Sequence, residues 1–227
     1  MVSRRFRNGS TPTVLLVHDA FADTGTWAGT VRAGATLGTE LVAVPNPLRG
    51  LASDGHHVAA AAGAIDGPVL LVGHGYGGAV ASVAATRAGN VVGLVYVAAL
   101  VPVPTILSLL SARFLAALAP TVDGELYLRR ADYPSVYAQD LSTVDATVAA
   151  ALQRPVVAAA FDQRWDPRAR VPSHYLVATA DRVLDARAQY RVAAAVRATT
   201  TEVDASHAVV LSRPDSVAEV IRSALST

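Results

Sequence analysis

The run GHGYGG at residues 73–78 follows an apolar, β-branched stretch and opens an Ala-rich one, so it reads as strand, tight turn and helix start. Such a turn supports two kinds of chemistry. Gly73, Gly75 and Gly78 fit G-x-G-x-x-G, whose glycines let a pyrophosphate approach a helix N-terminus. That use needs an acidic residue about 20 positions later to hold a ribose. The first Asp or Glu after Gly78 is Asp123, too late for the role. Residues 73–77 also fit G-x-S-x-G, an elbow that displays a nucleophile, with Gly75 in the serine's place. Glycine offers no attacking atom, so no covalent intermediate forms at that position.

Three further motifs keep the order of an elbow-type site: VHDAF at 17–21 with Trp27 soon after, TADRV at 179–183, and SHAVV at 206–210. With the elbow they make the chain resemble a small α/β-hydrolase of the esterase-like group common in actinobacteria, from about Thr13 to the C-terminus. The resemblance implies that Asp181 fixes the tautomer of His207 and that His207 is the general acid/base. It implies an oxyanion hole from the backbone N–H groups of Ala20 and Tyr76, and substrate contacts from Phe21 and Trp27. Gly75 would be the degenerate nucleophile position. Asp19 is the second departure, since the group usually carries Gly there; plant hydroxynitrile lyases resemble this case in aiming a polar side chain from the same turn. Asp also caps local turns well.

Losing the serine and gaining Asp19 make sense together. A carboxylate facing His207 across the vacated position is a second titratable group, suited to elimination, ring closure, isomerisation or activation of water. A residual ester hydrolase and a ligand-binding pseudoenzyme stay open as alternatives. The substrate is expected to be small, apolar and oxygenated; relatives with such departures often serve secondary metabolism. No cofactor and no metal are expected, and His18, His56, His57, His74 and His174 read as structural.

The elements that must position these residues alternate. Strands are expected at 13–18, 41–44, 69–73, 93–98, 174–179 and 200–204, with helices near 25–37, 53–65, 76–88, 184–197 and 214–225. That is an α/β-hydrolase fold: one domain over 1–227, with a mostly parallel sheet of about six strands flanked by helices. The spacing breaks between 99 and 174, too long for a loop. Apolar periodicity over 106–118 and 144–160 predicts a helical lid inserted at 102–168, within which Tyr127, Tyr133, Tyr137 and Trp165 are not assignable to pocket or surface.

Composition narrows the rest. The 227 residues are 52% hydrophobic and 16% charged, enough apolar material for one large core. A net charge of +1 without a basic face argues against nucleic acid. There is no cysteine, and every basic residue is Arg, which excludes thiolate and Schiff-base chemistry. Residues 91–110 carry no charge, but Pro102 and Pro104 interrupt them, so a strand leading into an apolar helix is expected rather than a membrane span. The basic start has no apolar stretch behind it, so no signal peptide and a cytoplasmic location are expected.

Overall fold

The computed structural model describes residues 11–101, 106–161 and 171–227. Strands β1 (Thr13–Val17), β2 (Leu41–Val44), β3 (Val69–His74) and β4 (Val91–Val97) are followed, after the insertion, by β8 (Ser173–Ala178) and β9 (Thr199–Val203). They form one sheet in the order β2-β1-β3-β4-β8-β9, with every pairing parallel. Parallel strands covered on both faces need apolar residues at consecutive positions, and β3 is buried at all six. Along β1, Val14 and Leu16 join one core cluster while Leu15 and Val17 join the other. Helices α2 (Leu51–Gly63) and α3 (Tyr76–Ala85) pack together on one face, and α1 (Ala28–Ala33) with α9 (Pro214–Leu225) on the other. Helix α9 starts at Pro214 as expected and buries Val217, Ala218, Ile221 and Ala224, a helical stripe.

The elbow is where strand and helix come closest. A Cβ on Gly77 would stand 2.4 Å from the carbonyl oxygen of Val17 and 2.7 Å from that of His18, both backbone atoms of the neighbouring strand end. Backbone cannot yield as a side-chain tip does. Gly77→Val is therefore expected to cost about 3 kcal/mol or more, read as a lower melting temperature or lost soluble expression.

The insertion differs from the helical lid expected. Its described part holds α4 (Ala112–Ala117), α5 (Tyr133–Val136) and α6 (Thr143–Leu152), but also a three-stranded antiparallel sheet of β5 (Leu118–Pro120), β6 (Glu125–Leu128) and β7 (Val156–Val157). Strands of two to four residues are too short to show alternation. Their one local signal is the Asp123-Gly124 turn, with Gly124 at φ 75. The periodicity at 144–160 stops being helical at Leu152 because Pro155 follows two residues after the cap, pushing Arg154 out of the α region. Trp165, Pro102 and Pro104 lie outside the described residues. Among the described residues no helix is long and apolar enough to cross a membrane.

Candidate functional site

Four loops at the C-terminal ends of the strands bring the site together, where open α/β sheets place ligands. The turn after β1 carries Asp19. His18 pins it: its Nε2 accepts from the Asn46 N–H at 3.0 Å, which leaves Nδ1–H to donate to the Asp19 carbonyl at 2.8 Å. After β3, Gly75 has φ 52 and ψ −123, a conformation open to glycine at little cost, and hands over to α3. Asp181 follows β8 and His207 follows β9.

Asp181 is fixed as an acceptor. Its Oδ1 takes the N–H groups of Val183 (2.7 Å) and Leu184 (3.0 Å); its Oδ2 takes the Gln189 amide (2.9 Å) and His207 Nδ1 (2.6 Å). On its other ring nitrogen, His207 Nε2 reaches Asp19 Oδ2 at 3.1 Å. The imidazole thus lies between two carboxylates, all three groups buried. Burial alone would push the His207 pKa down; the charges and hydrogen bonds of Asp181 and Asp19 outweigh it and raise the pKa to about 10. Burial would push Asp19 up, but the hydrogen bond and charge of His207 hold it below the ordinary carboxylate range. At neutral pH the site is an imidazolium flanked by two carboxylates.

Asp19 does not face His207 across an empty place at Gly75. It occupies that place. A Cβ built on Gly75 would stand 2.0 Å from Asp19 Oδ1 and 2.5 Å from Oδ2. Three donors hold the carboxylate there: the Tyr76 N–H on Oδ1 (2.5 Å), and on Oδ2 the Tyr137 hydroxyl (2.8 Å) with His207 Nε2. The Tyr76 N–H, expected as an open oxyanion donor, is therefore already spent on Asp19. Ala20 lies beside it on the cavity wall.

That cavity holds about 10 Å³, room for roughly one water. Phe21, Leu100, Leu110, Phe114 and Phe161 line it, and Asp19 and His207 supply its acid/base groups. Phe21, expected as a substrate contact, lines this cavity. Trp27 does not: fully buried, it sits in the core on the other face of the sheet, its ring centroid 6.3 Å from that of His74. A roomier cavity of about 390 Å³ lies between Asp23 and α6 and contains none of these acid/base groups.

His74 joins the cluster more closely than its motif suggests. Its Nε2 donates to the His207 carbonyl at 2.8 Å, and burial lowers its pKa to about 4, so it is neutral at pH 7. Asp19, His74 and His207 offer metal-type ligand atoms within 4.8 Å of one another. Both nitrogens of His207 are taken up by carboxylates, an arrangement that suits a proton. Two supporting residues escape sequence reading. Gln189 on α7 (Ala186–Ala195) accepts from the Ala178 N–H and donates to Asp181; its only trace is an amide among buried Ala188, Val192 and Ala193. Tyr137 comes from the insertion and leaves no local signal at all.

The alpha/beta hydrolase family profile matches residues 14–220. The chain belongs to that family. Its fold superposes on a pyrethroid hydrolase from Sphingobium faniae JZ-2 with TM-score 0.81 and 20% identity, covering 95% of this chain and 98% of that one. A methylesterase from Arabidopsis gives 0.79 at 18% identity, covering 95% and 99%. Polyneuridine aldehyde esterase gives 0.77 at 18%, covering 92% and 97%. At these identities the likeness establishes the fold. No curated protein sequence matches the chain.

Proposed function

We propose that this α/β-hydrolase-fold protein is an acid/base enzyme in which Asp19 has taken the serine's seat as general base and His207, oriented by Asp181, is the general acid. The observation that carries it is the Asp19 carboxylate standing where a residue-75 side chain would stand, in hydrogen-bond contact with His207. The ionised Asp19 removes a proton from an activated C–H or O–H of a small, largely apolar, oxygenated substrate. The electron pair moves onto an adjacent oxygen or expels a leaving group, and the His207 imidazolium donates its Nε2 proton there. Afterwards the proton on Asp19 passes to His207 across their 3.1 Å contact, which restores both groups. Elimination, isomerisation and cyclisation all run on this cycle without a cofactor. The apolar lining suits such substrates, and the cavity of about 10 Å³ has to widen around them for turnover.

A second reading has its own support: the structures this fold resembles include a pyrethroid hydrolase and two esterases. In it the same pair activates a water on an ester carbonyl. A pseudoenzyme would bind ligand with no turnover.

The pH–rate profile tests the proposal, with 5-nitrobenzisoxazole as probe, because proton removal from its ring carbon releases a coloured phenolate. Turnover needs Asp19 ionised and His207 protonated. With Asp19 held below its usual range and His207 raised to about 10, the rate is expected to stay level from pH 5 to 9 and to fall towards pH 10 as the imidazolium is lost. A site that uses neutral imidazole as base would instead lose rate as pH falls. An acid limb near pH 6.5, or no rate above free acetate, overturns the proposal.

A further inference from the structure

The insertion contributes to the pair directly. Residues 133–141 bond to three of the four loops that carry a site residue, those after β1, β8 and β9. The Tyr137 carbonyl accepts the Ala208 N–H at 3.0 Å and Asp140 accepts the Ser206 N–H at 3.0 Å, bracketing His207. The Gln139 amide reaches the Ala180 carbonyl at 2.6 Å, and Arg182 reaches back to the Ser135 carbonyl at 2.9 Å, so the Asp181 loop is tied as well. Tyr137 itself touches both partners. Its hydroxyl donates to Asp19 Oδ2, its ring meets that of His207 edge-on at 4.9 Å and 78°, and its backbone holds the residue after His207. Resting on the acid/base reading above, we propose that Tyr137 is the positioning residue of the pair: it fixes the distance from Asp19 to His207 and keeps the Asp19 carboxylate ionised in the seat at Gly75.

Tyr137 suits this task because its phenol stays protonated: burial and the adjacent Asp19 charge raise its pKa well above the ordinary value. Its O–H is a permanent donor, whereas His207 donates on Nε2 only while protonated. The groups facing Asp19 are His207 from the β9 loop, His74 from β3, Tyr137 and Tyr133 from the insertion, and His18 beside it, with Asp181 behind the imidazole. His18 and His74 have lowered pKa values from burial, so they add no charge at neutral pH. Removing the Tyr137 hydroxyl therefore withdraws one of three donors and leaves the charges in place.

The test is the titration of the Asp19 carboxyl by carbon-13 NMR of aspartate-labelled full-length protein. Tyr137→Phe is expected to move that titration up by about one pH unit. It should also lower kcat on the probe about tenfold with KM unchanged. Tyr133→Phe removes a neighbouring buried phenol that donates to the Phe21 carbonyl and not to Asp19, and should leave the Asp19 titration where it was. Should Tyr137→Phe fail to fold, 3-fluorotyrosine at position 137, a stronger donor, is expected to move the titration down. An Asp19 titration identical to wild type in the 137 variant, or shifted equally by Tyr133→Phe, overturns the assignment. Because the readout is a titration, it stands or falls apart from the function proposed above, which fails if Asp19→Asn leaves probe turnover intact.

Discussion

Gly75→Ser alone is expected to gain no ester-cleaving activity, whereas Asp19→Gly combined with Gly75→Ser is expected to gain at least about 100-fold on an aryl acetate. In the single variant the new Cβ meets the Asp19 carboxylate at 2.0–2.5 Å, and the carboxylate is held by three donors. Either the serine is strained out of position or Asp19 is forced off its donors into an apolar cavity, where an unpaired charge is costly. The single variant should melt lower and stay inactive. Clearing Asp19 opens the seat, frees the Tyr76 N–H as an oxyanion donor and leaves His207 with Asp181 as its one carboxylate partner. A hydroxyl, a base, an orienting acid and a hydrogen-bond donor then stand together. Removing one triad member still leaves roughly 10³–10⁴-fold over water from the oxyanion hole and binding, so supplying the missing atom has a large effect only when the hole is open. Hydrolysis by Gly75→Ser alone at the level of the double variant would mean that Asp19 does not hold the seat in solution.

The non-additivity of those two changes is the part of this site that the sequence could not display. The elbow motif, the Asp181–His207 pairing and all six sheet strands are local patterns: a run of β-branched residues, a glycine cluster, an acid or a histidine just past a strand. Each was legible because its structural meaning is set within about ten residues. The place of Asp19 was not, since residues 19 and 75 are joined only through the β1–β3 pairing and a side-chain rotamer. From the letters, Asp19 could be set facing His207 across the vacated position, but not inside it. Trp27 failed for a related reason: the turn that carries it returns beneath the sheet, and its indole packs among Val14, Leu16 and Val210 rather than facing the cavity. The insertion was the least legible. Its order comes from long-range bonds such as Gln139 to Ala180 and Asp140 to Ser206, and its strands, two to four residues long, are too short for a period to repeat clearly.

Asp19→Gly is expected to lower turnover of the benzisoxazole probe by about 10²–10⁴-fold, and added formate is expected to restore part of it. The loss follows from the role of base: among the described residues no other carboxylate lines the cavity, and Asp181 spends both oxygens on Val183, Leu184, Gln189 and His207. The rescue follows from the donors. Truncation leaves the Tyr76 N–H, the Tyr137 hydroxyl and protonated His207 converging on a vacated volume the size of a carboxylate, and a small carboxylate satisfies all three. Formate should saturate, because it fills a site; a linear dependence on formate would describe catalysis in bulk solution. His207→Gln makes the complementary case. It should lose a similar factor and show no rescue by formate, since the base is still present and the missing element is the proton donor. Rescue of Asp19→Gly and not of His207→Gln assigns base to one and acid to the other. If neither variant loses turnover, the carboxylate in the nucleophile's seat is there for stability, and the chemistry of this protein lies elsewhere.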